Sequence, residues 1–205
     1  SAGGRDGAIP QFCAWYLYGS QKRPVQEFQN PVIRPRNTPE GGILDGTRAY
    51  ARNRNGIRTD HLNRYDFAAR RLKGKILDAA CGCGYGSKTL QEKGNDVTGA
   101  DIDIEAIDWA QQWFRGPHYV IADLQKQIPA GYFDAVVSFE TLEHLPRPDE
   151  ALGHFRLVAS RLIASVPNEE RYPFHKESFG QDKYPHQRHY TPNEFEIMPK
   201  KAGWD

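Results

Sequence analysis

The sequence predicts an α/β protein built on a doubly wound, mostly parallel sheet with helices on both faces, preceded by an irregular N-terminal arm. Three observations carry this. Five short apolar runs alternate with helical patterns of 8–13 residues from residue 59 onward. Glycines cluster where the first run hands over to its helix, and acidic residues (Asp78, Asp101, Asp123) stand at or near the ends of the first three runs. In such a sheet, ligands bind at the carboxyl ends of the strands.

The first 58 residues hold proline at positions 10, 24, 31, 35 and 39 and glycine pairs at 3–4 and 41–42, with no clean apolar period. An irregular arm with at most short helices is therefore expected over 1–58, and a ligand-binding domain over 59–205. Thr59-Asp60 is a helix start, after which Leu62, Tyr65, Ala69 and Leu72 recur at helical spacing until Gly74. KILDAA (75–80) reads as a strand, SKTLQEKG (87–94) as a helix and DVTGAD (96–101) as a strand. IEAIDWAQQWF (104–114) is a helix, HYVIAD (118–123) and FDAVVSFE (133–140) are strands, DEALGHFRLVA (149–159) is a helix and RLIASVPN (161–168) a strand. The link between those last two is unusually tight. A final helix is expected over 193–204, with Pro199 breaking its second half.

With 205 residues, 39% apolar content and 19 glycines, the composition is that of a globular chain with an ordinary core, which excludes a disordered or fibrous protein. No apolar stretch approaches a membrane span, and SAGGRDGAIP lacks the apolar run of a signal peptide, so a soluble, cytoplasmic protein is expected. Cys13, Cys81 and Cys83 are an odd set that suits neither a disulfide framework nor a zinc ribbon, consistent with a reducing compartment. Residues 1–73 carry 13 Lys/Arg against 6 Asp/Glu, and the remainder 14 against 20. The basic front half is either a solvated surface or a face for an anionic partner such as a nucleotide-sugar, a lipid phosphate or RNA.

The glycine turn runs Asp78-Ala-Ala-Cys-Gly82-Cys-Gly84-Tyr-Gly86. A dinucleotide fingerprint fails on spacing, because its third glycine falls on Ser87 or Thr89. A phosphate loop fails because Ser87 separates Gly86 from Lys88. What remains is Asp78-x-Ala80-x-Gly82-x-Gly84 with Asp101 ending the second strand, where an acid can accept both hydroxyls of a ribose. The alternative is a tight turn that holds no ligand.

HLNRYDFAARRLKGKILDAACGCGYGSKTL, followed in order by VTGADID, IADLQKQIP, FDAVVSFETLEHL, RLIASVPN and HYTPNEF, resembles the class I S-adenosylmethionine-dependent methyltransferases, with a Rossmann-like sheet, over about residues 61–204. The resemblance implies that Asp78, Gly82 and Gly84 shape the methionine end of a pocket for S-adenosylmethionine (S-adenosylhomocysteine as product), with Ala80, Tyr85 and Ile102 among the cofactor-binding residues. It implies that Asp101 holds the ribose, that Asp123 and Leu124 frame the adenine, and that Phe139 or Glu140 lines the floor near the sulfonium. Ala80 stands where that class often has glycine, and only a slightly tighter turn is expected from it. The family completes its sheet with two further strands after a helix like that ending near Gly203. Tyr50, Tyr65 and Tyr85 are candidates for cation–π contact with the sulfonium, or for packing.

Glu140, Glu143 and His144 follow the fourth strand, and on a helix all three would share one face. Two carboxylates and an imidazole there make a metal constellation, with His186 or His189 as a further ligand. The arrangement resembles that of ubiquinone-pathway O-methyltransferases and small-RNA 2′-O-methyltransferases, and counting back from Thr-x-x-Glu-Phe places the later histidine of the RNA branch on His186. Three readings stay open: a divalent metal (Mn, Fe, Zn or Mg) on Glu140, Glu143, His144 and His186; catalysis by His144, Glu143 and His189 without metal; and plain packing. Tyr172, Phe174, His175, Tyr184, His186 and His189, in the 169–192 loop, are the acceptor-site candidates. Arg48, Arg52, Arg54 and Arg58 are candidates for an anionic acceptor. The expected function is methyl transfer to an oxygen or nitrogen of a small molecule or glycan, with an RNA ribose 2′-hydroxyl or a non-catalytic cofactor-binding module as alternatives.

Overall fold

Neighbouring residues of each apolar run pack on opposite sides of one sheet, as strand geometry requires when both faces are covered. Ile76, Val97, Val137 and Ile163 face one core; Leu77, Val136, Leu162 and Ala164 face the other. The computed structural model describes residues 13–18, 43–44, 49–179 and 184–204. In chain order its strands are β1 (Cys13–Tyr18), β2 (Ile43–Leu44), β3 (Ala49–Tyr50), β4 (Lys75–Ala79), β5 (Asp96–Asp101), β6 (His118–Ile121), β7 (Ala135–Phe139) and β8 (Leu162–Pro167). Its helices are α1 (Thr59–Arg71), α2 (Tyr85–Glu92), α3 (Ile104–Trp113), α4 (Pro148–Val158), the single turn α5 (Lys176–Phe179) and α6 (Pro192–Lys201). Among the described residues no helix is long and apolar enough to cross a membrane.

The main sheet has the order β1-β8-β7-β4-β5-β6. Its five strands from β8 to β6 are parallel, each run expected from the sequence forming its strand within a few residues. From β4 the chain winds outward through β5 and β6, then returns to β7 and β8 on the other side. The crevice where the winding reverses therefore lies between the carboxyl ends of β4 and β7. α1 and α2 cover one face through Phe67, Ala68, Leu72 and Leu90; α4 and α6 cover the other through Leu152, Phe155 and Phe195, with Trp204 beside them.

Three features depart from the expectation. The arm is not wholly irregular: β1 pairs antiparallel with β8 from Cys13↔Pro167 to Tyr18↔Leu162, so a segment far from β8 in sequence occupies its open edge. No local pattern signals this, because an edge strand needs no clean apolar period. Pro199 does not break α6, which runs on to Lys201. The lost donor falls near the helix end, where Trp204 closes over it by donating from its backbone to Pro199 O (3.1 Å) and from Nε1 to Leu152 O (3.1 Å). The tight link after α4 is accommodated because Ala159 turns extended at once and bridges in parallel to Phe133.

Beyond β8 the chain makes its 169–189 excursion and comes back to the same strand end, where Tyr190 N bonds Pro167 O (3.2 Å) and Glu169 N bonds Tyr190 O (2.9 Å). That return places the histidine-bearing loop over the carboxyl ends of the strands.

Candidate active site

A cavity of about 330 Å³ opens at the crevice between β4 and β7. Its floor is the turn after β4. Ala80, Gly82 and Gly84 all take left-handed backbone angles (φ 63°, 53° and 86°), which coil the chain tightly before α2 begins at Tyr85. A β-carbon on Gly84 would sit 2.5 Å from Ala110 Cβ, so that position needs glycine for packing as well as for φ. Ala80 is not merely a tighter turn: as a non-glycine residue in the left-handed region it carries strain.

Asp101 closes the turn from the neighbouring strand. One carboxylate oxygen accepts from Gly82 N (2.8 Å) and the other from Asp103 N (3.0 Å), while the residue still lines the cavity. Each oxygen keeps further lone-pair capacity for ligand hydroxyls. Asp78 lies beneath the turn, fully buried, accepting from Ser87 Oγ (2.6 Å) and Tyr65 Oη (3.1 Å). Burial pushes its carboxyl up to about 7. Of the ten residues assigned to a cofactor, Ala80, Gly82, Tyr85, Asp101, Ile102, Asp123, Leu124 and Phe139 line the cavity, whereas Asp78 and Gly84 support it from behind.

The opposite wall comes from α1. Arg64, 3% exposed, reaches Asp60 (3.6 Å) and Glu140 (3.4 Å), and Arg58 donates to both oxygens of Asp60 (3.0 and 2.8 Å). His61 Nδ1 lies 2.9 Å from the Tyr85 hydroxyl. Burial, reinforced by Arg64, pushes His61 down to about 4, so it is neutral at pH 7. The sequence pattern singled out no role for Arg64, although it stands with His61 in the His-x-x-Arg-Tyr segment; packing of α1 against α2 turns both toward the cavity. Tyr65 and Tyr85 line it too, but Tyr50 does not: its ring packs edge-on against Trp109 at 5.3 Å.

Past β7 the chain does not enter an α-helix, so the shared helical face expected for Glu140, Glu143 and His144 does not form. Glu140 adopts φ 50° at the strand end and turns to Ser165 Oγ (2.8 Å) and Arg64. Leu142–His144 forms a single 3₁₀ turn, which aims Glu143 and His144 elsewhere. Gln187 N bonds the backbone oxygen of Glu143 (2.7 Å) and so docks the late loop onto this turn. Ligand-type atoms of Glu143, His144 and His186 then lie within 4.8 Å of one another, without Glu140. Glu143 is fully buried, no side chain donates to its carboxylate oxygens, the nearest being His144 Nε2 at 4.0 Å, and burial followed by the Glu140 charge pushes its carboxyl well up. His144 lines the cavity, and its ring meets that of His186 edge-on at 4.4 Å. Burial, then His144 and His189, push His186 down to about 4.

Of the acceptor candidates, Tyr184 alone lines the cavity besides the His144 neighbourhood. Tyr172 and Phe174 instead enclose His189, stacked at 5.7 Å and edge-on at 5.4 Å, and His175 is exposed just before α5. The described arginines of the front segment have partners within the chain: Arg52 lies over the Trp113 ring (4.8 Å), Arg54 pairs with Asp66 and Glu92, and Arg58 with Asp60. Arg48 lies outside the described residues.

A doubly wound sheet with a glycine turn after its first parallel strand, an acid ending the next and a cavity at the winding reversal is an architecture that takes its ligand at the strand ends. Residues 77–160 match the family model described as a methyltransferase domain. The ubiquinone biosynthesis O-methyltransferase of Psychrobacter cryohalolentis is 36% identical over 109 residues, covering 48% of this chain and 42% of that protein. The chain spans about two-fifths of the length of the curated relatives it matches. Among solved structures, the TehB-like S-adenosylmethionine-dependent methyltransferase of Corynebacterium glutamicum aligns with a TM-score of 0.54 at 24% identity, over 68% of this chain and 71% of that one. Magnesium protoporphyrin IX methyltransferase of Synechocystis, solved with bound S-adenosylhomocysteine, aligns with a TM-score of 0.56 at 22% identity, over 72% and 74%. At these identities the two structures speak for the fold.

Proposed function

We propose that this protein binds S-adenosylmethionine in the β4–β7 cavity and transfers its methyl group to a hydroxyl of a small-molecule or glycan acceptor. The carrying observation is the joint placement of Asp101, the left-handed turn at 80–84 and His144 around one cavity. Asp101 would take the ribose hydroxyls, Asp123 and Leu124 the adenine, and the Arg64 guanidinium the methionine carboxylate, with the Tyr65 and Phe139 rings against the sulfonium. When bound, the cosubstrate supplies a methyl group already activated by the sulfonium, so the protein has to align the acceptor oxygen with it, exclude water and remove one proton. The acceptor oxygen forms the new bond to carbon as the carbon–sulfur bond breaks. The bonding pair stays on sulfur, leaving the neutral thioether, and the hydroxyl proton passes to a base. His144, which lines the cavity as Tyr184 does, is that base or shares the task with a metal.

The donor set fits a divalent cation, because two imidazoles and a buried carboxylate to which no side chain donates converge there. Glu143, His144 and His186 would hold it, and the nitrogen donors favour manganese, iron or zinc over magnesium. Such an ion lowers the pKa of a nearby hydroxyl. An RNA ribose 2′-hydroxyl is the second acceptor reading. The same histidine cluster favours it, but the described arginines offer it little, since they are engaged within the chain.

The test is calorimetric titration with S-adenosylhomocysteine, followed by transfer of labelled methyl from S-adenosylmethionine to phenolic, glycan and RNA acceptors with and without chelator. Binding at a single site, and transfer that chelator abolishes and Mn²⁺ restores, are expected. Absence of binding overturns the reading, and activity indifferent to chelator removes the metal from it. RNA as the acceptor would show binding that falls steeply with salt.

A further inference from the structure

His189 lies outside the cavity lining, and its side chain is fully buried between the rings of Tyr172 and Phe174. Both of its ring nitrogens are spoken for. Nδ1 is 2.6 Å from the backbone oxygen of Tyr172, and Nε2 is 2.8 Å from His186 Nδ1. A carbonyl oxygen can only accept, so Nδ1 of His189 must carry hydrogen. With a single hydrogen on the ring, held at Nδ1 by the Tyr172 oxygen with Glu169 Oε2 3.9 Å away, Nε2 of His189 presents a lone pair to His186. The bond between the two rings then requires a hydrogen on His186 Nδ1, and His186 Nε2 is left with its lone pair.

We infer that His189 is a positioning residue that fixes His186 in the Nδ1–H tautomer, so that the Nε2 lone pair of His186 serves the Glu143–His144 cluster. The backbone of residue 172 thereby dictates, through two rings, which nitrogen of His186 carries the lone pair. An imidazole that holds a metal commonly donates its other nitrogen's hydrogen to a fixed acceptor, which orients the ring and raises its basicity. Here the fixed acceptor is a second histidine whose own tautomer is set by the main chain. The use made of His186 Nε2 rests on the metal or base role proposed above; the tautomer itself does not.

Long-range ¹H–¹⁵N correlation spectra of ¹⁵N-histidine-labelled, metal-free protein read the tautomer directly, with the His186 signals assigned by their loss in His186→Asn. In the wild type, His186 is expected to be protonated at Nδ1 and bare at Nε2. His189→Phe, which keeps the ring packing and removes the acceptor, should shift His186 toward Nε2–H. His189→Gln, whose amide oxygen can stand where Nε2 stood, should restore Nδ1–H. Mn²⁺ affinity should fall about 10–100-fold in His189→Phe and recover in His189→Gln, with S-adenosylhomocysteine affinity unchanged in both. A wild-type spectrum showing Nε2–H or a doubly protonated His186 overturns the inference even if no variant folds, as does a His189→Phe spectrum identical to wild type. Nδ1–H on His186 in a protein that binds no Mn²⁺ supports the tautomer lock and removes only the metal reading.

Discussion

A β-carbon on Gly86 would lie 1.9 Å from Cζ of Tyr65, so the ring of Tyr65 occupies the place that any side chain at 86 would take. The Tyr65 hydroxyl is tied to Asp78 at 3.1 Å and its ring packs edge-on against Phe139 at 5.0 Å, which leaves it nowhere to swing. The last glycine of the turn thus serves the docking of α1 as much as the cavity. Gly86→Ala should lower unfolding stability by about 1–3 kcal/mol through overpacking. Gly153→Ala, inside α4 with no neighbour within 4 Å of the new methyl group, should raise it by about 0.5–1 kcal/mol. Urea unfolding of the two variants checks both signs; an unaltered midpoint for Gly86→Ala would show that Tyr65 can move.

Asp78 makes stability depend on pH. Its carboxyl titrates near 3.8 in the unfolded chain and about 7 in the fold, because burial disfavours the charge. Between those values the folded chain binds more protons, so the contribution is whole below about pH 4 and is lost as pH rises through 7. One such group gives a slope of about −1.4 kcal/mol per pH unit in that window. Asp78→Asn should remove one slope of that size between pH 5 and 7, measured by denaturant titration without ligand. An unchanged slope would mean that Asp78 is ionised across the window.

Ala80 pays for its left-handed backbone. A non-glycine residue there costs about 1–2 kcal/mol, against a glycine entropy penalty of about 0.5–1 kcal/mol. Ala80→Gly should therefore stabilise the protein by up to about 1 kcal/mol, read as a higher thermal midpoint. A lower midpoint would show that the methyl group packs usefully against the turn.

Asp101 holds two backbone amides and faces the cavity. Asp101→Ala should weaken S-adenosylhomocysteine binding by about ten- to a hundredfold, the loss of charged hydrogen bonds worth about 1.5–3 kcal/mol. Calorimetry checks this, and Asp123→Ala, at the other side of the cavity, is the comparison. Equal affinity for Asp101→Ala and wild type would place the ligand elsewhere.

The parallel strands, their helices and the glycine turn were legible from residue 59 onward because each depends on local pattern: apolar runs, cap residues and glycines whose spacing encodes φ. The position of Asp101 was legible for the same reason, since a strand's end fixes where its last side chain stands, whereas Asp123 falls two residues past the end of β6. The Glu140–His144 cluster was only half legible. A helical face was the natural expectation for that spacing, yet Glu140 at φ 50° and the 3₁₀ turn after it send Glu140 to Arg64 and leave Glu143 with His144.

By itself the sequence determined the doubly wound sheet, the glycine turn and the identities of the histidines. Tertiary structure decided their employment. It put β1 on the edge of β8, carried His186 back to Glu143 through the Gln187 backbone bond, hid His189 behind His186, and turned Arg64 and His61 into a cavity wall. The physical reason is range. Backbone angles, caps and strand alternation are settled by residues a few positions apart, whereas the sharing of a proton between two rings, or of a buried charge among Asp60, Arg64 and Glu140, depends on which distant segments the packed core brings within about 3–4 Å.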